Sequence, residues 1–433
     1  MTNNTDEVPI VLLYLHEHRI NDLKSWLKSL EKLITLDVTI IASNSTVNNL
    51  DSLLATSHNF SIENIEEGQS NCDETLDHHS VKLLWLEFKR FYSRFKFLYT
   101  KSLQILANKT DAVLITYDDR ISSLIPILKA SYKKKIPVFL PAILTTRPDV
   151  TGTTANTLKP KRKVETMIVY LAKRFFPHHV NHNERLFYNP VSYLVLLLFN
   201  ALPKRPWIKG TLTYTTKLGV ESNLALEKLL EAGVNKDKLE LTGMPVYDLM
   251  DFSREDDSSN NLLLCALPQY GEHGAMSVTE ALPIIEEILI AFTEFSGEVV
   301  ISLHPRMSPE VYQPIVEKHG FQCVVGDIDS WLKKANLFVA ASSSTTIYSS
   351  LIMGIPTIAL NHILPRSNIF KDLKSLTYVE KNPSTEIVKA ICHPLPNLEG
   401  LIEIDQELLS SSLVTDGKCG KRNLDMIMSL LKR

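Results

Sequence analysis

Two groups of side chains in the second half of the chain have the composition of a phosphate-binding site. The segment His304-Pro305-Arg306 ends the apolar run 299–303, and the hydroxyl-rich segment 342–346 follows the apolar run 337–341. Imidazole and guanidinium groups stabilise phosphate charge, and serine hydroxyls and free N–H groups at a helix start bind anions. Ligands of open parallel sheets bind outside the carboxyl ends of strands, so we expect both groups to face one pocket for a phosphate ester.

A third group comes from the first loop after the strand-like run 262–266, where Gln269 and Tyr270 either contact the ligand or only shape the turn. His304 has a structural alternative as a hydrogen-bonded histidine, Arg306 as a solvated side chain, and the serine run as a helix N-cap. An N-cap requires a single serine, which favours the anion site for the run. The predicted nucleotide- and phosphate-binding residues are Ser342, Ser343, Ser344, Thr345, Arg306, Gln269 and Tyr270, with His304 in a catalytic role.

An acidic pair follows another strand-like run, in the first half of the chain. Asp118 and Asp119 come after the apolar residues 112–116. A carboxylate that is hydrogen-bonded to a hydroxyl can remove its proton when that hydroxyl acts as a nucleophile. Adjacent acids point to different sides, so we expect one of the two to act as the base, and the alternative is a helix N-cap with a first-turn acid.

Composition limits the classes of function. The net charge of −3 does not favour nucleic-acid binding, and the five scattered cysteines lack metal-ligand spacing and fit a reducing compartment. The polar start at residues 1–7 predicts no signal peptide, and no apolar run reaches the roughly 18 residues that a membrane span requires. We therefore predict a cytoplasmic protein without metal or cofactor, and with no nucleic-acid partner.

Strand-like runs alternate with helical patterns along the chain, which predicts an α/β protein with parallel sheets. The charged, nearly apolar-free segment 251–261 predicts a linker. We therefore expect an N-terminal domain at 1–250, a C-terminal domain at 262–412, and a final helix within 413–433 that packs on either domain. The predicted strands are 9–15, 38–42, 112–116, 138–140, 211–214, 262–266, 299–303, 323–325, 337–341 and 357–360, whereas 51–72 is predicted to be irregular.

The segment 159–209 departs from this pattern. It contains ten Lys or Arg and two Glu, with aromatic residues and leucines between them, including Phe175, Phe176, the run 193–199 and Trp207. Such a segment predicts a helix or helical hairpin in the interface of an anionic membrane, and hence a peripheral protein on the inner membrane face. The alternative is a basic surface beside one buried helix of the first domain.

The order of motifs resembles that of the non-hydrolysing UDP-N-acetylglucosamine 2-epimerases over most of the chain outside 45–95 and 150–210. The resemblance implies the glycosyltransferase-B (GT-B) fold, which consists of two Rossmann-like domains with a ligand cleft between them. Where these epimerases have a catalytic glutamate, this chain has Pro141-Ala142, and it also lacks their "HRxEN" loop. The matching elements are Asp111–Arg120, Lys135–Val138, Leu239–Asp248, His304-Pro305, Ser342–Thr346 and Gly354–Pro356.

A second resemblance is to bacterial sialyltransferases and transferases of nonulosonic acids and Kdo, which carry a paired acid, an "HP" pair and a serine or serine–threonine pair. Asp118-Asp119, His304-Pro305 and the run from Ser342 look like these three signatures, although Arg120 replaces the usual glycine after the acids. This resemblance implies a glycosyltransferase that uses a CMP-linked nonulosonic acid or Kdo and a glycan or lipid-linked acceptor. The resemblance to the epimerases selects Asp118 as the base, because Asp118 aligns with their acid, and His304 with the serines would hold the leaving phosphate.

Two other hypotheses remain open on the sequence alone. One is a sugar-nucleotide 2-epimerase or hydrolase on the same scaffold. The other is a non-catalytic subunit that docks on the membrane through the segment 159–209. Release of free nucleotide only in the presence of an acceptor would distinguish the transferase from both.

Overall fold

A computed structural model gives the fold of the chain. The structure describes residues 9–14, 20–47, 50–65, 81–143, 163–181, 184–255, 261–272, 276–342, 344–363, 373–412 and 415–432. The described residues divide into two compact units. Unit 1 contains the chain up to Met250 and the carboxyl-terminal helix, and unit 2 contains the chain from Asp251 to Ser412.

The described residues of unit 1 form one seven-stranded parallel sheet. Its strand order is β3-β2-β1-β4-β5-β6-β7, which is the Rossmann order with a seventh strand added. Strands β1 and β4 are apolar and buried along nearly their whole length, as expected for a parallel sheet with helices on both faces. The strands are β1 (Ile10–Tyr14), β2 (Asp37–Ala42), β3 (Asn59–Asn64), β4 (Ala112–Ile115), β5 (Val138–Leu140), β6 (Lys217–Val220) and β7 (Leu239–Leu241).

The described residues of unit 2 form a six-stranded parallel sheet with the order β10-β9-β8-β11-β12-β13. This is again the Rossmann order. The chain adds β9 and β10 on one side of β8 and then β11, β12 and β13 on the other side, so the order in which strands are added reverses between β8 and β11. The strands are β8 (Leu262–Ala266), β9 (Glu298–Leu303), β10 (Gln322–Val325), β11 (Leu337–Ala341), β12 (Thr357–Leu360) and β13 (Leu376–Val379).

Helices connect the strands of both sheets, as the alternating sequence pattern predicts. Their starts follow local rules, for example at residue 278, where Ser277 and Glu280 form a reciprocal capping box. The α-helices are α1 (Ile20–Glu31), α2 (Asn44–Val47), α3 (Asp51–Leu54), α4 (Val81–Ile105), α5 (Ile125–Lys133), α6 (Lys163–Phe175), α7 (Pro190–Leu198), α8 (Asn223–Glu231), α9 (Val278–Phe292), α10 (Pro309–Lys318), α11 (Ile328–Leu332), α12 (Thr346–Ile352), α13 (Pro383–Cys392), α14 (Leu398–Ser412) and α15 (Cys419–Leu431).

Two predictions of secondary structure are wrong. The segment 211–214 is a loop, and the strand is β6, which starts at Lys217. The segment is a loop because the N–H of Leu212 and the hydroxyl of Thr215 both donate to Asp119 instead of to a neighbouring strand. Within 51–72, residues 59–64 form the edge strand β3, whose mostly exposed polar residues hid it from an apolar pattern search.

The carboxyl-terminal helix α15 packs on unit 1. The indole N–H of Trp26 donates to the Asn423 side chain at 3.1 Å, and both residues are buried. The carboxylate of Asp248 accepts the N–H groups of Cys419 and Gly420 at the first turn of the helix. An acid at this position satisfies N–H groups that have no partner within the helix.

Most of the apolar run predicted to lie in a membrane interface is instead part of the core of unit 1. Val195 and Leu196 of α7 are fully buried, and Phe199 stacks on Phe95 of α4 with ring centroids 4.2 Å apart. Trp207 is also buried. The placement of these buried residues in the interface is therefore wrong, because neighbouring elements cover them. Leu197 and Leu198 at the end of the run are exposed. Residues 159–162, 182 and 183 of the segment lie outside the described residues.

No helix in the described part of the chain has both the length and the apolar character needed to cross a membrane.

Candidate functional site

The carboxyl edge of the unit 2 sheet collects the polar residues that the sequence singled out. In the strand register, Ala266 lies opposite Ser302 and Ala340, and Ala341 lies opposite Leu360. The loops that follow β8, β9, β11 and β12 therefore begin at nearly the same level. The crevice between β8 and β11 is the position where open α/β sheets bind their ligands.

Gln269 lies in the first of these loops and is half-buried. Its Oε1 atom is buried, and among the described residues it has no hydrogen-bond partner. A buried amide oxygen without a partner costs free energy, so such a group in a native protein requires an explanation. A ligand that donates an N–H or O–H to this position would supply the missing bond.

Tyr270 is buried, and its hydroxyl lies 3.3 Å from Nε2 of His362. The two rings meet edge to face, with centroids 5.7 Å apart. Burial raises the pKa of Tyr270 and lowers that of His362, so both rings are neutral near pH 7. These contacts favour the second of the two predicted roles for Tyr270, which is to shape the turn.

The serine run differs from the predicted anion site in one respect. Ser342 is fully buried, its hydroxyl donates to Asn361 at 2.9 Å, and its N–H donates to Leu360. Its donors are thus used inside unit 2, and its contact with phosphate stays a prediction. Ser343 lies outside the described residues.

The half-buried hydroxyl-bearing residues Ser344 and Thr345 follow Ser342 at the start of α12. The N–H of Ser344 donates to Ala341, and its hydroxyl accepts the N–H of Thr346. The side chain of Thr345 makes no hydrogen bond that caps the helix. Of the predicted run, these two residues therefore remain as candidates for contact with a ligand.

His304 follows β9 and is exposed, as is Arg306. The N–H of Arg306 donates to Nδ1 of His304 at 3.1 Å. With Nδ1 accepting this bond, the neutral ring carries its proton on Nε2. The His304 ring therefore lies at the same edge as Gln269, with the Arg306 N–H on its Nδ1 side.

A second cluster lies at the carboxyl edge of the unit 1 sheet. After β4, the Asp118 carboxylate accepts two hydrogen bonds from the Arg120 guanidinium, at 3.0 and 2.7 Å, and one from the Arg120 N–H at 2.8 Å. Burial alone would raise the pKa of Asp118, but the guanidinium outweighs burial and holds that pKa below its usual value. Asp118 is thus ionised at neutral pH and held in one orientation. The nearest helix, α5, begins only at Ile125, so neither acid caps it.

Asp119 is fully buried and has a different environment from Asp118. Burial, with the neighbouring Asp118 charge, raises the pKa of Asp119, and the hydrogen bonds that it accepts oppose this shift. The carboxylate thus fastens the loop that precedes β6, which is a structural role. Its donors are the N–H of Gly210 at 3.0 and 3.1 Å, the N–H of Leu212 at 3.2 Å and the hydroxyl of Thr215 at 2.8 Å.

This role leads to a prediction about stability. Asp119→Ala would leave two buried N–H groups and a buried hydroxyl without their acceptor, and we expect a loss of about 3 kcal/mol in the free energy of unfolding. Chemical denaturation followed by circular dichroism measures this loss. The exposed acid Asp237→Ala serves as the control and should change stability far less. An Asp119→Ala protein as stable as the wild type would contradict the structural role.

Sequence reasoning missed two charged residues of this cluster, Lys209 and Glu221. Burial lowers the pKa of Lys209, and the charges of Asp118 and Asp119 oppose that shift, so the three groups are neighbours. Glu221 directly follows β6, is fully buried, and contributes to the electrostatic field at Lys209.

The rule that identified Asp118 and His304, a polar residue at the carboxyl end of a buried strand, would have found Glu221 if β6 had been placed correctly. The same rule applied after β12 would have found Asn361 and His362. Glu272 gave no such signal, because it lies six residues beyond β8. Its Oε1 accepts the Tyr312 hydroxyl at 2.7 Å, and its buried Oε2 has no partner among the described residues.

Within the described part of the chain, no three or more His, Cys, Asp or Glu side chains form a group that could hold a metal ion.

Comparisons at the level of sequence find no relatives. No family model matches the chain, and no curated protein sequence matches it.

Solved structures, in contrast, resemble the chain over its whole length. UGT89C1 of Arabidopsis thaliana in complex with UDP-L-rhamnose has a TM-score of 0.58 at 13% identity, covering 99% of this chain and 100% of that one. The calicheamicin glycosyltransferase CalG4 has a TM-score of 0.57 at 12% identity, covering 99% of both chains. UDP-GlcNAc 2-epimerase from Neisseria meningitidis bound to UDP-GlcNAc has a TM-score of 0.51 at 12% identity, covering 98% of this chain and 100% of that one.

These likenesses, together with the two Rossmann-ordered sheets, confirm the predicted fold class. The chain has the GT-B fold, with two Rossmann-like domains. At identities this low the comparisons show the fold alone, and the ligand cleft implied by the resemblance stays a prediction.

Proposed function

We propose that the protein is a glycosyltransferase that uses a nucleotide-sugar donor. In this proposal unit 2 binds the nucleotide at the carboxyl edge of its sheet, and unit 1 supplies the general base. The observation that carries the proposal is the crevice between β8 and β11, where Gln269 has a buried oxygen without a partner among the described residues. The His304 ring and the hydroxyls of Ser344 and Thr345 follow strands that end at the same level.

The chemistry of the donor fits these groups. Nucleotide bases and ribose present N–H and O–H donors, which suit the Gln269 oxygen, and the phosphate suits the His304 ring and the α12 hydroxyls. For the donor we propose a CMP-linked nonulosonic acid or Kdo, on the strength of the acid pair, the His304-Pro305 pair and the serine run. A UDP-sugar is the alternative, since structures with this fold hold UDP-L-rhamnose and UDP-GlcNAc. The proposed acceptor is a glycan or a lipid-linked sugar.

In the proposed reaction the acceptor oxygen forms a bond to the anomeric carbon of the sugar. The bond between that carbon and the donor phosphate breaks, and the nucleotide leaves with the electron pair. The acceptor proton passes to Asp118, which is ionised at neutral pH because Arg120 lowers its pKa. In this proposal the His304 ring donates a hydrogen bond to the phosphate as negative charge develops on it, so the reaction uses protein donors in place of a metal.

A sugar-nucleotide 2-epimerase or hydrolase is the second candidate. The unit 1 cluster supports it, because Lys209 and Glu221 add acid–base groups to Asp118. A third candidate, a binding subunit without activity, has the same fold but would turn over no donor. Incubation with labelled donors separates the three: a transferase releases nucleotide only with acceptor, a hydrolase releases it without acceptor, and an epimerase changes the sugar without releasing nucleotide.

The donor site is tested first by binding. Calorimetry with CMP, UDP, GDP and CDP compounds should show saturable binding of one nucleotide class by the full chain. Absence of binding by every member of the panel would sink the proposal.

Gln269→Leu gives a sharper prediction for the same site. Leucine has a similar volume but no amide, so nucleotide affinity should fall about tenfold because one hydrogen bond is lost. In the free protein the change removes a buried group without a partner, so the free energy of unfolding should stay the same or rise. Gln322→Leu, at an exposed glutamine of β10, is the matched control and should leave affinity unchanged. Unchanged affinity in Gln269→Leu would remove this residue from the site.

A further inference from the structure

Helix α6 exposes an apolar face to solvent. Met167, Tyr170, Leu171 and Phe175 are 59%, 72%, 46% and 68% exposed. Their spacing of three, four and eight residues from Met167 places them on one side of the helix. The other side is buried through Ile168, Val169 and Ala172. A helix that already contributes to the core therefore carries a second apolar stripe that the core does not use.

Helix α4 exposes aromatic residues among cations. Trp85 and Phe97 are 54% and 47% exposed, and Leu86 and Tyr92 are also exposed. The exposed charged side chains of residues 84–105 are all basic: Lys89, Arg90, Arg94 and Lys96. The Lys89 ammonium lies 5.2 Å from the centroid of the Trp85 ring.

The two faces belong to neighbouring helices. Both α4 and α6 pack against α7, whose end adds the exposed side chains of Leu197 and Leu198. We call the exposed residues of these three helices the basic–aromatic surface. The sequences of α4 and α6 together contain nine Lys or Arg and two Glu.

The composition of this surface distinguishes between a protein partner and a lipid membrane as the molecule that covers it. The buried centre of a protein–protein interface is enriched in aromatic residues but depleted in lysine. Aromatic residues intermixed with lysine and arginine are instead typical of surfaces that lie at the level of lipid headgroups, where the rings enter the acyl boundary and the cations meet anionic lipid. Charge complementarity therefore favours an anionic membrane over a second copy of the chain.

We propose that unit 1 docks on an anionic lipid surface through the basic–aromatic surface of α4, α6 and the end of α7. The apolar stripe of α6 would enter the headgroup region, and the cations of α4 would contact the lipid charges. Of the residues that the sequence pattern indicated, Phe175, Leu197 and Leu198 belong to this surface, whereas Leu196 and Trp207 belong to the core. The contribution of α4 was not predicted. The inference deepens the proposed function by naming a membrane as the location of the acceptor.

The experiment is co-sedimentation of the full chain with vesicles, without nucleotide or acceptor. We expect binding to vesicles of phosphatidylcholine with phosphatidylserine, little binding to phosphatidylcholine alone, and weaker binding at high salt because salt screens the charges. Lipid binding is measured apart from turnover. A protein that does not bind lipid would contradict the docking surface and leave the proposed reaction standing. A protein that binds lipid but has no activity would contradict the proposed reaction and leave the docking surface standing.

Two sets of variants locate the surface. A Tyr170→Ser/Leu171→Ser/Phe175→Ser protein should lose most of its binding to mixed vesicles. A Lys89→Gln/Arg90→Gln/Lys96→Gln protein should bind on the order of 100-fold more weakly, since each cation near the surface contributes about a factor of five. Ile290→Ser/Ile404→Ser, which removes two exposed apolar side chains of unit 2, is the matched control and should bind as the wild type does. All these residues are exposed, and unchanged thermal unfolding confirms that each variant is folded.

Three results would overturn the inference. The first is equal binding to vesicles with and without phosphatidylserine, and the second is equal binding by the wild type and the α6 variant. The third is a wild type that binds no lipid but forms a dimer in size-exclusion chromatography, with the α6 variant a monomer, which would assign the surface to contact between copies.

Discussion

Asp118→Asn should abolish sugar transfer while leaving nucleotide binding nearly unchanged, which is the largest effect on activity that we expect. Asparagine keeps the size, and its single amide oxygen can still accept the Arg120 bonds made to one carboxylate oxygen, but it loses the bond made to the other and cannot take up a proton from the acceptor hydroxyl. Steady-state turnover and calorimetric nucleotide affinity, measured on the same preparation, test the two halves of the prediction. Asp111→Asn, at the exposed residue that precedes the same strand, is the control and should keep normal turnover.

Arg120→Gln separates a base from a merely structural acid. In the wild type the guanidinium lowers the pKa of Asp118, so a base at this position stays ionised and active down to low pH. Without the Arg120 guanidinium, burial is opposed only by the Lys209 charge and the backbone N–H of residue 120, so the pKa of Asp118 rises and the acid limb of the pH–rate profile should move to higher pH. If the profile keeps its position while activity and stability fall together, Asp118 only anchors Arg120 and the base lies elsewhere, with Glu221 the next candidate.

His304→Ala has the second largest expected effect, a fall in turnover on the order of 10²–10³ with intact folding. The physical reason is the loss of one donor that stabilises charge developing on the leaving phosphate. The side chain is exposed, so its removal leaves no cavity in unit 2. The loss should appear mainly in kcat, because the interaction strengthens as the phosphate gains charge.

The exposed His393, at the end of α13, supplies the matched control for this change. His393→Ala should retain wild-type turnover, and His304→Gln should recover part of the activity because its amide can still donate a hydrogen bond. Full activity in His304→Ala would show that the histidine is structural or solvated, and would leave the phosphate to Ser344, Thr345 and Arg306.

The fold could be predicted from the sequence because parallel sheets leave a strong local signal. Strands covered by helices on both faces are continuous apolar runs, as in β4 and β11, and both were predicted. The edge strand β3 has mostly exposed polar residues and was missed, and the strands β7 and β13 were not predicted either. Strand β6 was misplaced because the apolar residues near 211–214 are held in a loop by Asp119, a partner 91 to 96 residues away in the chain.

The sequence predicted those candidate site residues that directly follow a strand. It did not predict which side chains are hydrogen-bonded to one another. His304 and Gln269 follow buried strands of the unit 2 sheet, and Asp118 follows a buried strand of the unit 1 sheet. Within each sheet, the parallel register brings the carboxyl ends of the strands to one edge. The sequence could not show that Ser342 donates to Asn361, or that Asp118 and Asp119 differ in partners and in the direction of their pKa shifts.

The resemblance to known families implied the two Rossmann-like domains. By itself, the sequence determined the alternation of strands and helices in two domains and the residue types at the strand ends. These properties depend on periodicity and on the order of residues along the chain. Only the tertiary structure decided which polar groups are already paired and which apolar side chains reach solvent. Leu196 and Phe175 show why: both are apolar residues of the same basic segment, yet Leu196 is fully buried and Phe175 is 68% exposed. Packing between helices makes that difference, and no local pattern contains it.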